Sequence, residues 1–373
     1  MGERGAPILA RHVDLDEEIE EGEMKVVKLG NIQVGEGCPP YIIAEIGSNH
    51  NGDMNLCRKL VDAAADAGAH AAKFQSWTDK SLIAKEEYDR NTTYTDKKKH
   101  FGSLRDMVTA YQLTSQQHEE ASDHCKRRGL TFCSTPFSRS EADLLEKLGA
   151  PFFKIASMDI VNLPLLAYVA GKGKPVVIST GMATMAEIEN AVETVHKEGN
   201  EQAVLLHCIS IYPPEYSTIH LNNMATLRQA FDVPVGFSDH SIGTAIPLAA
   251  IALGACIIEK HFTMDQHMEG WDHAISANPD QLKVIVEEGR NIFAALGSRK
   301  RTVTRVEFEK RKKFRRSLVA SHALPKGHVL AMADLDAKRP GTGIAPNETQ
   351  YVLGRKLTKD IEEDQVIHWD HLT

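Results

Sequence analysis

VPVGFSDH at 233–240 and CIIEKHF at 256–262 are short apolar runs that break, near their C-terminal ends, into polar side chains able to hold an anion or a metal. Six runs upstream share this construction: YIIAEIG (41–47), AAKFQ (71–75), TFCSTPF (131–137), FFKIAS (152–157), PVVISTG (175–181) and AVLLHCISIYP (203–213). Near-continuous apolar runs of this length read as strands buried on both faces. The segments between them, such as Met185 to Gly199 and Glu141 to Leu148, carry helical spacing. A strand followed by a helix, eight times over, predicts a (β/α)8 TIM barrel. Strand ends converge on one open face in that fold, so Glu45, Lys73, Thr135, Lys154, Ser179, Tyr212, His240 and His261 are expected to line a single pocket.

The 373 residues exceed what one barrel of about 250 residues needs, which leaves material at both ends. No apolar run approaches the roughly 18 residues of a membrane span, so a cytoplasmic protein is expected. The N-terminus runs into DLDEEIEEGE, which lacks the apolar core of a signal peptide and reads as a disordered acidic leader at 1–24. Six cysteines show no CxxC pairing, and Cys133, Cys208 and Cys256 fall inside strand runs as reduced core residues. A net charge of −8 argues against nucleic acid as the partner while leaving room for a small anion in a locally positive pocket.

KVVKLGNIQVGEG at 25–37 reads as a hairpin turning at Gly30 and Asn31, placed to cap the lower mouth of the barrel. The connection after the second strand, roughly Thr78 to Val108, is too long for an ordinary βα loop and reads as a lid or a solvated insertion. The barrel is expected to span 25–297. The basic stretch at 298–316 is interrupted by Glu307 and Glu309 and lacks a series of stacking aromatics, so it reads as a solvated helical linker in preference to a nucleic-acid patch. From 317 to 373, SLVASHALPKGHVLAMADL and KLTKDIEEDQVIHWDHL share one pattern and predict a small β-rich domain built from a duplicated unit.

His240 and His261 close adjacent strands at the same level. Neutral imidazoles with open positions beside them suit Mn, Fe, Co or Zn, with substrate oxygens completing the shell; the competing reading is a pair of histidines satisfied by polar neighbours. His50, in SNHNGD, reads as a structural turn residue. Lys73 and Lys154 point inward, and Ser134, Thr135, Ser157, Ser179, Thr180 and Ser238 add hydroxyls, a set suited to phosphate and carboxylate oxygens. One desolvated lysine at a strand end would also serve a Schiff-base aldolase. Two lysines among hydroxyls beside a histidine pair favour anion binding.

In order along the chain, AEIGSNHNGD, KFQ, STPFS, KIAS, STGM, HCISIYPPEY, GFSDH and EKHFT resemble the strand-end motifs of the sialic acid synthase (N-acetylneuraminate synthase) family. The tail, including KRPGTG at 338–343, resembles that family's antifreeze-like (SAF) domain. The resemblance implies condensation of phosphoenolpyruvate with the open-chain aldehyde of N-acetylmannosamine, or of a related N-acylated sugar, to give a nonulosonic acid and phosphate. A diacetamido trideoxy-hexose of the legionaminic or pseudaminic type is the alternative acceptor.

By that likeness Lys73, Thr135, Lys154, Ser157, Ser179 and Ser238 hold phosphoenolpyruvate. His240 and His261 hold a divalent metal, Mn2+ or Mg2+, with Co2+ also fitting. Glu45, Gln75, Tyr212 and Asp272 surround the reacting end of the sugar, with Phe137, Asp159 and Ser210 in the substrate set, and Arg339 reaches the N-acyl group across a domain-swapped homodimer. Asp159 stands where a Glu is common in the family, and Ser210 where an Asn is common. A Schiff-base aldolase and a non-catalytic ice-binding or scaffold protein are the readings from other classes; the second leaves the polar barrel rim unexplained.

Overall fold

The computed structural model describes residues 25–373 apart from 94, 97, 98, 101 and 299, and of 95, 96, 99 and 100 only the backbone. The expected acidic leader lies outside the described residues. Eight parallel strands form the predicted barrel: β1 (Tyr41–Gly47), β2 (Ala71–Ser76), β3 (Thr131–Pro136), β4 (Phe153–Ile155), β5 (Val176–Ser179), β6 (Ala203–Cys208), β7 (Val235–Asp239) and β8 (Ile257–His261). The hydrogen-bonded order is β3-β2-β1-β8-β7-β6-β5-β4, and β3 lies beside β4 at the seam. The outer helices are α1 (Met54–Asp66), α2 (Ser115–Arg127), α3 (Arg139–Lys147), α4 (Leu163–Ala170), α5 (Met185–Lys197), α6 (Asn223–Phe231), α7 (Ala245–Ala252) and α8 (Pro279–Leu296).

Local sequence sets where helices begin. Thr114, Thr184 and Asn278 each form a capping box with the residue three positions on (Gln117, Glu187 and Gln281), satisfying backbone N–H groups that the first turn leaves unpaired. Strands buried on both faces divide their side chains between two cores. One lies between strands and helices, with Phe74, Phe132, Ile178 and Phe237 among its strand residues. The other fills the barrel, where Tyr41, Ile43, Leu206 and Ile257 meet Val27, Leu29 and Val34. Those last three belong to the hairpin Val26–Leu29 and Ile32–Gly35, which closes the lower mouth as its sequence predicts.

The long connection after β2 differs from both a bare lid and a solvated loop. It folds into helices Lys85–Arg90 and Leu104–Tyr111 and a two-residue antiparallel pair. Trp77, Tyr88, Leu104, Met107, Val108 and Tyr111 give it a core of its own. Apolar residues scattered among charges over this span carried that core, and their spacing is too irregular to read as one helix.

The chain divides at Gly297/Ser298 into two compact units. The second begins with helix Arg305–Phe314, followed by the antiparallel strands Ser317–Ala320 and Leu335–Lys338. The duplication read from the sequence is visible in its backbone. Leu324 and Ile361, equivalent positions of the two copies, exchange both backbone hydrogen bonds at 2.8 and 2.9 Å. Each copy turns through a left-handed residue, Gly327 or Asp364, and ends in a short 3-10 turn, Met332–Asp334 or Trp369–His371. Leu318, Leu330, Ile344, Leu357, Ile367 and their neighbours form this unit's own core.

Gly236 marks a point of close packing inside the barrel. A Cβ there would lie 2.6 Å from the Ile257 carbonyl oxygen, 2.7 Å from Leu206 and 2.8 Å from the Ile257 Cβ. Gly236→Ala is therefore expected to lower stability by about 1–3 kcal/mol, as overpacking does. Urea unfolding should show a lower midpoint at unchanged slope; an unaltered midpoint would mean that β7 and β8 can move apart.

Candidate active site

A cavity of about 310 Å³ opens at the C-terminal ends of the strands, where the sequence places it. All eight strand-end residues singled out above line it, as do Gln75, Phe137, Ser157, Ser210, Ser238 and Asp272. Glu259 and Cys208 line it as well; the sequence reading does not include Glu259 and assigns Cys208 to the core, whereas its side chain borders the cavity. Both are found by strand alternation: Glu259 lies two residues before His261 on the same face of β8, and Cys208 shares the inward face of β6 with Leu206.

Alternation also removes two candidates. Ser134 turns away from the cavity to bond Ser76 at 2.7 Å, and Thr180 donates to the Leu206 carbonyl at 3.1 Å. His50 is buried in its turn, where its Nδ1 accepts from the Gly52 N–H at 3.0 Å. Asp159 is not among the lining residues. Its Oδ1 accepts from Asn162 at 3.1 Å, and its buried Oδ2 has no hydrogen-bond partner. Arg339 belongs to the second unit, where its exposed guanidinium stacks 5.3 Å from the Phe314 ring centre.

The floor of the cavity is a charge network. Lys73 Nζ lies 2.7 Å from Glu45 Oε2 and 3.8 Å from Glu259 Oε2, and donates to Thr135 Oγ1 at 3.3 Å. Lys154 Nζ donates to Ser179 Oγ at 2.6 Å and lies 3.7 Å from Glu259 Oε1, which also accepts from Ser238 at 2.9 Å. All four charged side chains are nearly or wholly excluded from solvent. Burial pulls both ammonium groups down. At Lys73 the Glu259 and Glu45 carboxylates outweigh burial and the group goes up, whereas at Lys154 burial prevails. Burial would raise Glu259, but Lys154 and Lys73 hold it below the usual carboxylate range. Glu45, whose other oxygen accepts from Gln75 at 2.7 Å, is pushed up to about 7 by burial, assisted by Glu259 and opposed by Lys73.

Above this floor the β4 and β5 ends come close together. Ser157 Oγ accepts from the Gly181 N–H at 3.1 Å, and a Cβ on Gly181 would strike Ser210 Oγ at 2.2 Å and Ser157 Oγ at 2.7 Å. STG at 179–181 thus requires its glycine so that hydroxyls from three strands share one wall.

His240 and His261 stand side by side, ring centres 5.2 Å apart, with the Tyr212 ring 4.0 Å and 5.9 Å away. His240 Nδ1 donates to the Ile209 carbonyl at 2.8 Å, which leaves Nε2 as the site of a lone pair in the neutral ring. Burial, with the positive charges of His240 and the lysines, pushes His261 well below its usual range, so it is neutral at physiological pH. Its buried Nδ1 makes no hydrogen bond and lies 3.6 Å from Asp272 Oδ2. Burial lowers His240, but its contacts with Cys208 and the Ile209 carbonyl prevail and raise it, so it would accept a metal on losing a proton. In that form the two imidazoles, with an orphaned ring nitrogen on His261 and a carboxylate alongside, fit a divalent cation. Among the described residues no group of three or more His, Cys, Asp or Glu forms a ready-made metal cage, so such an ion would take its remaining ligands from substrate or water.

The NeuB family model matches residues 60–301, and the SAF domain model matches residues 315–373. The chain belongs to the NeuB family. It is 41% identical over 332 residues to the N,N'-diacetyllegionaminic acid synthase of Campylobacter jejuni, covering 87% of this chain and 98% of that one. The Legionella pneumophila enzyme of the same name is 38% identical, at 91% and 96% coverage. Among solved structures, an N-acetylneuraminic acid synthetase from Leptospira borgpetersenii, in complex with citrate, is 35% identical with a TM-score of 0.70, covering 78% of this chain and 96% of that chain. Most of the barrel thus lies in the region matched to the NeuB family, and the tail in the region matched to the SAF domain. No helix among the described residues is long and apolar enough to cross a membrane.

Removing Lys73 should move Glu45 in a defined direction, because Lys73 is the group that holds it down. In carboxyl carbon NMR of the ligand-free protein, a resonance titrating near pH 7 is expected, absent in Glu45→Gln and shifted to higher pH in Lys73→Met. A titration that Lys73→Met leaves in place would show that burial, not Lys73, governs Glu45.

Proposed function

We propose that this NeuB-family enzyme condenses phosphoenolpyruvate with the open-chain aldehyde of a 2-acetamido sugar, releasing phosphate and a nonulosonic acid. The observation that carries the reading is the buried Lys73–Glu259–Lys154 arrangement, ringed by Thr135, Ser179 and Ser238. Two ammonium groups share one carboxylate there and retain donor capacity for the phosphate and carboxylate of an incoming anion. The names of the relatives support two acceptors: N-acetylmannosamine, and a diacetamido trideoxy-hexose.

In this reaction the enol carbon C3 attacks the aldehyde carbon, and the electron pair of the C=O bond moves to its oxygen. A divalent cation on His240 and His261 would supply polarisation of that oxygen. Glu45 has its pKa placed near neutrality by burial, so it can give a proton to the new alkoxide and, as carboxylate, take one from the water that adds to the cationic C2. Collapse at C2 then breaks the bond between carbon and the bridging oxygen, and phosphate leaves with that oxygen. Lys73 and Lys154 hold the anion in register throughout, and Tyr212 and Asp272 face the sugar end.

Phosphate release assayed with Mn2+ against a panel of 2-acetamido sugars tests the function. Turnover is expected with N-acetylmannosamine or its diacetamido trideoxy counterpart, and none with pyruvate in place of phosphoenolpyruvate. Phosphoenolpyruvate labelled with oxygen-18 at the bridge should pass its label to phosphate; label kept in the sugar acid would mean attack at phosphorus. Borohydride trapping of pyruvate on Lys73 or Lys154 would instead establish the Schiff-base route.

We also propose that Arg339 serves the acceptor in the barrel of a partner subunit. Its guanidinium is exposed and held over Phe314, with Pro340 following directly. Arg339→Ala should raise the sugar KM roughly 10-fold or more and leave that of phosphoenolpyruvate nearly unchanged, as loss of a charged hydrogen bond does. Mixing Arg339→Ala with Lys73→Ala subunits should regain activity at low sugar concentration; no recovery in proven heterodimers would place Arg339 outside a shared site.

A further inference from the structure

Directly behind the histidine pair is a second pair of charges for which the proposed reaction has no use. Asp239 and Lys260 each precede a histidine by one residue, so strand alternation turns their side chains away from the cavity that His240 and His261 line. They are direct neighbours in the parallel β7–β8 ladder. Neither has any solvent exposure, and Lys260 Nζ lies 2.8 Å from Asp239 Oδ2.

Both charges also grip the residue that follows His240. The Ser241 N–H donates to Asp239 Oδ1 at 2.8 Å, and Lys260 donates to the Ser241 carbonyl. His240 is therefore bracketed: Asp239 before it and Ser241 after it are bound into one charged knot, whose other half, Lys260, is the residue next to His261. The ring of His240 is aimed separately, by the Ile209 carbonyl at the end of β6.

A buried ion pair is a weak source of stability, because two apolar side chains of similar volume often serve as well. What an apolar pair cannot supply is direction. An ammonium that must meet a carboxylate on one strand and a carbonyl on the turn beyond it permits one register and one spacing of the two strand ends.

We propose that Asp239 and Lys260 are positioning residues that fix His240 and His261 at the separation and orientation a divalent cation requires. This rests on the reading that the two histidines hold the metal. The partners that orient metal-binding histidines typically contribute roughly 10- to 100-fold to metal affinity. The same size of effect is expected here, through the backbone instead of through the imidazole nitrogens.

The test is Mn2+ binding to metal-stripped full-length protein, measured by the electron paramagnetic resonance signal of free Mn2+, with thermal unfolding measured in parallel. Lys260→Met alone leaves Asp239 buried without its counter-ion and is expected to lose folded protein. The double variant Asp239→Leu/Lys260→Met removes both charges. It should stay folded with an unfolding temperature near that of wild type, while binding Mn2+ roughly 10- to 100-fold more weakly. Saturating Mn2+ should then restore much of its kcat without changing the KM for phosphoenolpyruvate, whose proposed contacts lie mainly on other strands. Asp239→Asn/Lys260→Met, which keeps the shape and an acceptor for the Ser241 N–H and leaves no buried charge unpaired, should weaken Mn2+ binding less, and it decides the matter if the leucine variant does not fold. Wild-type Mn2+ affinity in either folded variant overturns the positioning role alone. A wild-type protein that binds no Mn2+ removes the metal reading, and this inference with it.

Discussion

Two ammonium groups buried at one end of a barrel are the constraint around which this protein is arranged. Removing a lysine from water is expensive unless an opposite charge accompanies it. Glu259 serves Lys73 and Lys154 at once, from 3.8 and 3.7 Å, and Glu45 adds a closer contact to Lys73. At formal charge the cluster is neutral, yet its two halves differ. Lys73 sits between two carboxylates and is held positive, whereas Lys154 has a hydroxyl, a backbone carbonyl and only a distant share of Glu259, and burial lowers it. An anion arriving at the Lys154 side therefore meets the less compensated cation, close to Ser179 and Ser157.

The same cluster prepares Glu45 for proton work. A carboxyl beside one ammonium would ordinarily be driven down, so a value near 7 shows that desolvation and Glu259 together outweigh Lys73. Lys73 thus connects the two halves of the proposed chemistry, since whatever binds it changes the balance at Glu45. Gln75, donating to the other oxygen of Glu45, fixes the direction in which that carboxyl points.

Most of this was legible in the sequence, because a barrel turns one-dimensional periodicity into a shared location. Each apolar run ended in its polar residues at the same level, so eight strand ends separated in sequence could be assigned to one cavity. What escaped reading has specific causes. Glu259 stands inside its strand and not at the end, and following the period of two back from His261 would have found it. Ser134 and Thr180 resemble their cavity-lining neighbours because hydroxyls cluster at these ends, and the same period sends them outward. Asp159 lies in a 3-10 turn whose direction no strand periodicity fixes. The core of the insertion after β2 depends on contacts between aromatic residues far apart in sequence, such as Trp77 and Trp271 at 6.2 Å.

That last contact bears on how the two ends of the cavity differ. Lys73, Thr135, Lys154 and Ser179, the proposed anion contacts, lie on barrel strands, where ladder hydrogen bonds and close packing on both faces fix them. Ser210, Tyr212 and Asp272 sit on loops. Trp271, next to Asp272, packs against Trp77 and Tyr111 of the insertion, and Ser276 donates to the Asp272 carbonyl at 2.6 Å. The geometry at this end is therefore held by loop–loop and loop–insertion packing, whose parts can be exchanged without moving any strand. A substitution on the strands alters charge balance through the shared Glu259 and reaches every member of the network, whereas one on these loops changes the shape of a wall. The architecture thus constrains the strand-borne end, where the proposal places the anion, and leaves more tolerance for change on the loops, where it places the second substrate.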